Sequence, residues 1–211
     1  MKTRTLLGTT ALVLLVASAG CLGALTSDTV SFEASKATVS ANALADTGYQ
    51  ERDVTDQAIE RDVEVAGQSK HVTITNWLAT YEKSVTVGDT TRPAAAFAAV
   101  STPAAKVAGQ SLNPVASMSN EQLLEQFQSQ FSQSGDVRTV DTTTVTMLGE
   151  ETTSTKFATT TTVQGQPVDV FVHVAKVQHG DDVVVAIHVY PQALDDAESG
   201  NFERLVAGID H

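Results

Sequence analysis

The sequence has few cysteines and few basic residues, and each shortage excludes a class of protein. One cysteine among 211 residues cannot form an internal disulfide bond, so stability must come from packing. Lys and Arg total 13 against 25 Asp and Glu, which gives a formal net charge of −12. Because no basic patch is available to neutralise phosphate, the composition excludes nucleic acid as a partner.

Several common catalytic and ligand-binding motifs are also absent from the sequence. There is no Gly-x-Ser-x-Gly turn, no His-Glu-x-x-His pair, no phosphate-binding glycine loop and no EF-hand pattern. With only five histidines and little positive charge, the chain offers few groups for catalysis. The sequence therefore predicts no cofactor and favours a non-catalytic protein.

The acidity itself predicts a protein from a halophile. The acidic residues are scattered along the chain, and threonine, alanine and valine are abundant while lysine is scarce. At molar salt the Debye length falls to about 3 Å, so dense carboxylates no longer repel one another and keep the protein soluble. An ordinary acidic extracytoplasmic protein is the alternative.

The first residues have the features of an export signal. Lys2 and Arg4 precede an uncharged, apolar run that ends in small residues at Gly20, and the sole cysteine follows as Cys21. A basic start, a short apolar segment and a small-residue end are typical of a signal peptide, predicted here over residues 1–20. A cysteine at this place also resembles a lipobox, which predicts a lipid anchor at Cys21.

This interpretation divides the chain into a signal peptide, a lipidated cysteine with a short tether (21–28), and one extracytoplasmic domain (29–211). Because the chain has no charge between Arg4 and Asp28, an uncleaved membrane helix is an alternative. Ordinary secretion is another, since Ser18 departs from the aliphatic residue that a lipobox prefers.

Most of the remaining chain has the alternating pattern of β-strands. Strands are predicted at Thr29–Ala34, Asp56–Val65, Lys70–Val87, Pro93–Ser101, Thr143–Leu148, Thr152–Val163, Val168–Val177 and Asp182–Tyr190. In the first hairpin, pairing Val65 with Lys70 places the apolar side chains on one face.

Three helices are predicted between these strands. Ser40 caps a short helix at residues 41–45, and Ser119 with Gln122 forms a capping box before an apolar stripe. The stripe consists of Leu123, Leu124, Phe127 and Phe131. A closing helix is predicted over Phe202–Ile209. The predicted fold is α+β, a twisted and mostly antiparallel sheet with helices packed on one face.

Several short motifs resemble a group of membrane-anchored haloarchaeal lipoproteins that are classed as a domain of unknown function. They include Asn76-Trp77-Leu78-Ala79, Asn113-Pro114-Val115 and Tyr190-Pro191-Gln192. The resemblance covers nearly the whole chain and implies a lipid-anchored, cell-surface domain from a halophile. It implies no activity and no binding residues. The last third is also similar to Mog1/PsbP-type antiparallel sheets, which concerns the fold only.

Two histidines are the best local candidates for a ligand site. If the final hairpin turns between Gly180 and Asp181, His173 lies directly opposite His188, with Cβ atoms about 4.5–5.5 Å apart. The valines of both strands then occupy the opposite, buried face, so the histidines are predicted on a half-exposed face. They form either a stacked pair or two contacts to a metal or ligand. Two ligands do not complete a zinc site, so no metal site is predicted.

Trp77 and Tyr81 are further candidates, since an aromatic ring on a polar face suits a sugar or a peptide but more often packs under a loop. Asp181 and Asp182 form a solvated turn or contact Ca²⁺. Two functions therefore remain open. The first is a non-catalytic envelope module that binds a protein, glycan or small solute. The second is a metal- or solute-dependent enzyme or binder that uses His173 and His188, which a deep pocket with ionisable groups would favour.

Overall fold

The computed structural model describes residues 29–65, 67–87, 89–107, 110–128, 135–163 and 165–211. The predicted signal peptide, Cys21 and the tether lie outside the described residues. The strands are β1 (Thr29–Glu33), β2 (Thr38–Val39), β3 (Gln50–Val65), β4 (Gln68–Val87), β5 (Thr90–Pro103), β6 (Lys106–Val107), β7 (Gln110–Ser111), β8 (Arg138–Met147), β9 (Glu150–Val163), β10 (Gln166–His179), β11 (Asp182–Pro191) and β12 (Ile209–Asp210). The α-helices are α1 (Ala41–Thr47), α2 (Asn120–Gln128) and α3 (Asp195–Ala207), with short 3-10 turns at Pro114–Ser117 and Gln192–Leu194.

One large, mixed sheet dominates the fold. Its strand order is β1-β4-β5-β11-β10-β9-β8, and β3 also pairs with β4. Every neighbouring pair is antiparallel except β1 with β4. The prediction of a mostly antiparallel sheet is therefore confirmed, and β10 and β11 are interior strands with partners on both sides.

The first hairpin is tighter than predicted. Val65 pairs with Gln68 rather than with Lys70, because only two residues separate the strands and Gly67 takes a positive φ of 77°. The predicted register is wrong by two residues. Since side chains alternate with a period of two, this error leaves the assignment of side chains to faces unchanged.

The helices pack on opposite faces of the sheet, so the prediction of one covered face is wrong. Along β11, Val185 and Ile187 pack with Leu123 and Leu124 of α2. The alternating Ala186 lies in a different cluster, with the apolar side chains of α3, Phe202, Leu205 and Val206. Both faces of the interior strands are therefore buried.

The helix caps confirm two of the predicted starts. Ser40 caps α1, and Gly48 ends it with a left-handed φ of 76°. At α2, Ser119 Oγ accepts from the backbone N–H of Gln122 at 3.3 Å, and the Gln122 side chain accepts from Ser119 N–H at 2.8 Å. Phe131, the last residue of the predicted apolar stripe, lies outside the described residues.

Helix α3 begins seven residues earlier than predicted, at Asp195 instead of Phe202. Its first turn contains Asp195, Asp196 and Glu198, and negative charge is favourable at a helix N-terminus. The earlier start matters for the site, because it places two carboxylates of α3 over the sheet.

Candidate functional site

The two candidate histidines pair across the central hairpin as predicted. His173 lies opposite His188 in the β10–β11 register, and their ring centroids are 6.0 Å apart. The prediction of a half-exposed face is wrong, because His188 is 0% exposed and His173 is 8% exposed. Helix α3 covers this face, and the Phe202 ring lies parallel to His188 at 6.0 Å.

His188 belongs to a buried hydrogen-bond network. Its Nε2 lies 2.5 Å from the hydroxyl of Tyr49, and that hydroxyl donates to Glu198 Oε2 at 2.9 Å. The other carboxylate oxygen, Oε1, accepts from Lys83 Nζ at 2.6 Å. The four groups come from β11, the residue before β3, α3 and β4, so the network joins the helix to the sheet.

The direction of these bonds fixes the tautomer of His188. Because a carboxylate only accepts, Tyr49 donates its proton to Glu198, and His188 Nε2–H then donates to the Tyr49 oxygen. Nδ1 of His188 is left with a lone pair, and it is buried with no hydrogen-bond partner among the described residues. Because His188 is 0% exposed, this lone pair is closed to solvent.

His173 belongs to a second network with the same order of groups. Its Nε2 lies 2.8 Å from the Tyr190 hydroxyl, which donates to Asp195 Oδ1 at 2.8 Å. Lys156 Nζ donates to the same carboxylate oxygen at 2.5 Å. Each histidine is thus linked through a tyrosine to a carboxylate of α3, and each carboxylate is paired with a lysine on the sheet.

Burial lowers the pKa values of the two histidines and raises those of the two tyrosines, whereas hydrogen bonds outweigh burial and lower the pKa of Glu198. Burial lowers the pKa of His173 to about 3 and lowers that of His188 as well, so both are neutral at neutral pH. Burial alone would raise the pKa of Glu198, but hydrogen bonds from groups that include His188 and Lys83 outweigh it and hold the pKa at about 2. Burial raises the pKa of Tyr49 and Tyr190, which therefore stay protonated.

A small cavity of about 120 Å³ lies beside His173, with Lys156, Ser199 and Glu203 among its lining residues. It has room for a few waters. Within the described part of the chain, no three His, Cys, Asp or Glu side chains converge to hold a metal ion. The cavity therefore places ionisable groups near His173 without assembling a metal centre.

Tyr81 and Trp77 occupy different environments. Tyr81 is 0% exposed, and its hydroxyl accepts from the backbone N–H of Val39 at 2.8 Å, so it is a core residue. Trp77 is half-buried, and Lys36 Nζ lies 4.1 Å from its ring centroid. The structure brings Tyr81 into the core that contains the histidines and leaves Trp77 outside it.

The two aspartates of the last turn also differ in their environments. Asp181 is exposed, whereas Asp182 is buried and its Oδ2 accepts from the backbone N–H of Ser35 at 2.8 Å. His211 Nε2 lies 3.1 Å from the same oxygen. The Asp182 carboxylate is committed to these partners, so the pair does not form an open Ca²⁺ site.

The other face of the sheet carries a larger open concavity of about 240 Å³, which we name the α2 groove. It lies between α2 and the strands β3 and β4, over a floor formed by β5 and β11. Its lining residues are Gln57, Ile59, Asn76, Trp77, Leu78, Val100, Thr102, Val115, Leu123, Gln126, Phe127, Val185 and Ile187. None of these side chains is charged, and most are apolar.

The sequence reasoning missed the residues that hold the histidines in place. Tyr49 lies 139 positions from His188, and no local pattern links them. A signal did exist in α3, where Glu198, Asn201 and Leu205 follow the spacing of a buried helical stripe. The stripe begins with polar residues, so the hydrophobic pattern of this helix is weak.

Comparison with known proteins adds a family but no function. Residues 36–210 match the family described as Domain of unknown function (DUF6517). A solution structure of cyanobacterial PsbP (CyanoP) from Synechocystis sp. PCC 6803 is similar at 7% identity and a TM-score of 0.39, covering 83% of this chain and 91% of that one. That similarity is too low to carry an argument about fold or function. No curated protein matches the chain. Within the described ranges, no helix is both long and apolar enough to cross a membrane.

Proposed function

Because the chain belongs to the DUF6517 family, a domain of unknown function, we propose a role from its own residues. The protein is a lipid-anchored, non-catalytic binding module on the cell surface of a halophile. Cys21 carries the anchor, and the α2 groove is the binding surface. The ligand presents an uncharged, apolar group to this groove.

The lining of the α2 groove is the observation that carries this proposal. The protein has a formal net charge of −12, yet no charged residue lines the groove. Ile59, at the edge of the groove, is 53% exposed, so an apolar side chain is accessible to a ligand there. An apolar concavity with a few amide groups is typical of a ligand site and disfavours a charged solute or a glycan.

The environment of the histidines supports a non-catalytic role. A general base must reach the proton that it removes. His188 is fully buried, and both histidines already use Nε2 to bind a tyrosine. Their networks instead fasten α3 to the sheet.

A fluorescent apolar probe offers a direct test of the groove. A neutral probe such as N-phenyl-1-naphthylamine should gain emission on binding, because most of the side chains that line the groove are apolar. Ile59→Asp puts a charge into the groove and should weaken binding at least tenfold, since burying an unpaired carboxylate is costly. Val163→Asp is the matched control, because Val163 is 52% exposed and does not line the groove.

Two results would contradict the groove as the binding surface. One is the absence of saturable probe binding to the unaltered protein at molar salt. The other is an equal loss of affinity in Ile59→Asp and Val163→Asp, which would indicate a general effect of surface charge.

The anchor is tested separately by Cys21→Ser. In a halophilic host, the unaltered protein should sediment with membranes and the variant should not, because the variant has no thiol to carry lipid. Equal sedimentation of both forms would favour an uncleaved N-terminal helix and overturn the lipid anchor. This result leaves the groove experiment unaffected.

The cavity beside His173 supports a second candidate, a solute-dependent enzyme or binder. Lys156 and Glu203 line this cavity together with His173, so ionisable groups do converge there. Under this alternative, His173→Gln would abolish solute binding while leaving probe binding in the α2 groove intact. Under the favoured proposal, His173→Gln changes stability and no binding property.

A further inference from the structure

A second pair of histidines lies at the end of the sheet where β10 ends and β12 is followed by His211. Nδ1 of His179 and Nδ1 of His211 are 2.9 Å apart, and the ring planes meet at 69°. The two nitrogens are therefore within hydrogen-bonding distance of each other. Neither residue belongs to the networks under α3.

The surroundings of His211 fix its tautomer. Its Nε2 lies 3.1 Å from Asp182 Oδ2 and 3.1 Å from Ser101 Oγ. Because a carboxylate only accepts, Nε2 carries the proton, and the lone pair of Nδ1 is directed at His179. The Asp182 oxygen is held in turn by the backbone N–H of Ser35. A carboxylate that binds the far N–H of a histidine is the usual support of a metal ligand.

We propose that His179 and His211 bind a divalent transition-metal ion as two neighbouring ligands, with Cu²⁺ preferred. Metal–nitrogen bonds are about 2.0–2.1 Å long, so two nitrogens at a right angle around one ion are about 2.9 Å apart. The observed separation of 2.9 Å matches this value, and it is also the length of a hydrogen bond between the two rings.

The ligand set also favours Cu²⁺. Square-planar or tetragonal sites with nitrogen and oxygen ligands suit Cu²⁺ or Ni²⁺, and Cu²⁺ binds such ligands most tightly. No third side chain of the described residues completes a cluster, so water fills the remaining positions. The side chain of His211 is 5% exposed and His179 is half-buried, so the ion enters from the His179 side.

The test is a titration of the full chain with Cu²⁺, followed by electron paramagnetic resonance, in the Cys21→Ser background that removes the only thiol. We expect one Cu²⁺ ion to bind tightly to each protein, with hyperfine coupling to two nitrogens, and Zn²⁺ to bind more weakly. His179→Gln and His211→Gln should each abolish this tight binding. The same 2.9 Å contact without a metal is a histidine–histidine hydrogen bond, and then neither substitution changes Cu²⁺ binding.

Asp182→Asn tests the support of His211. It should weaken Cu²⁺ binding by about 10–100-fold while the stoichiometry stays the same. His71→Gln is the control, because His71 is an exposed histidine beside Asp62 and is far from this cluster in the sheet. If His211→Gln unfolds the protein, the test relies on His179→Gln, because His179 is only half-buried. Tight Cu²⁺ binding that survives in His179→Gln, or that is lost in His71→Gln, overturns the site.

Discussion

Lowering the pH from about 7.5 to about 4 is expected to destabilise the fold through His173. Burial lowers its pKa from 6.5 to about 3, so the folded protein holds the neutral imidazole in a range where the unfolded chain binds a proton. The stability due to this group is fully present above pH 6.5 and is lost as the pH falls towards about 3. Glu198 acts in the same direction but at lower pH, because its pKa falls from 4.5 to about 2.

The size of the effect follows from the two pKa values. Between about pH 7.5 and about pH 4, a group with pKa 6.5 when unfolded and about 3 when folded loses about 3 kcal/mol of stability. His188 adds to the loss, since burial lowers its pKa as well. High salt screens exposed charges but leaves these buried groups largely unscreened.

The assay is chemical denaturation at constant molar salt over this pH range, with His173→Gln as the comparison. The variant should be less stable than the unaltered protein at neutral pH. The difference in free energy of unfolding between the two should shrink by about 3 kcal/mol towards about pH 4. His71→Gln is the control, because hydrogen bonding to Asp62 raises the pKa of that exposed histidine. A raised pKa contributes stability in acid that is lost as the pH rises. His71→Gln should therefore still lose stability at low pH, as the unaltered protein does. Equal pH slopes for His173→Gln and the unaltered protein would refute the reasoning.

Two further predictions concern the attachment of α3. Lys83→Met removes the cation 2.6 Å from Glu198, whose side chain is 3% exposed. The substitution should lower the free energy of unfolding, measured by denaturant titration, by about 3 kcal/mol, because it leaves a buried carboxylate without its cation. An unchanged denaturation midpoint would contradict this. Gly208→Ala would place a Cβ 2.4 Å from that of Ala43 and should lower the melting temperature, at a cost of about 2 kcal/mol. Gly200→Ala meets nothing within 4 Å and is the matched control within α3, expected to stabilise by about 0.5–1 kcal/mol.

The sequence predicted the strands well because their signals are local. Alternation and turn residues predicted the β10–β11 hairpin, and its register placed His173 opposite His188, as observed. The helix caps at Ser40 and Ser119 were predicted for the same reason, since a cap depends on residues three positions away.

What the sequence did not predict depends on the tertiary arrangement. The position of β11 between β5 and β10, and the cover that α3 provides, bury both of its faces. Alternation alone cannot show this, so His188 was predicted on a half-exposed face. The contact between Tyr49 and His188 joins residues far apart in the chain, and the α2 groove depends on where α2 packs against the sheet.

The most direct test of the proposed role is the intact mass of the protein extracted in native salt from its own membrane. We expect a polypeptide that begins at Cys21, carries two lipid chains, since one chain binds a membrane only marginally, and retains an apolar compound without a covalent bond. A mass that begins at Met1, or a processed chain without lipid, would contradict the anchor. A lipidated chain that retains only a polar solute would contradict the α2 groove as the binding surface.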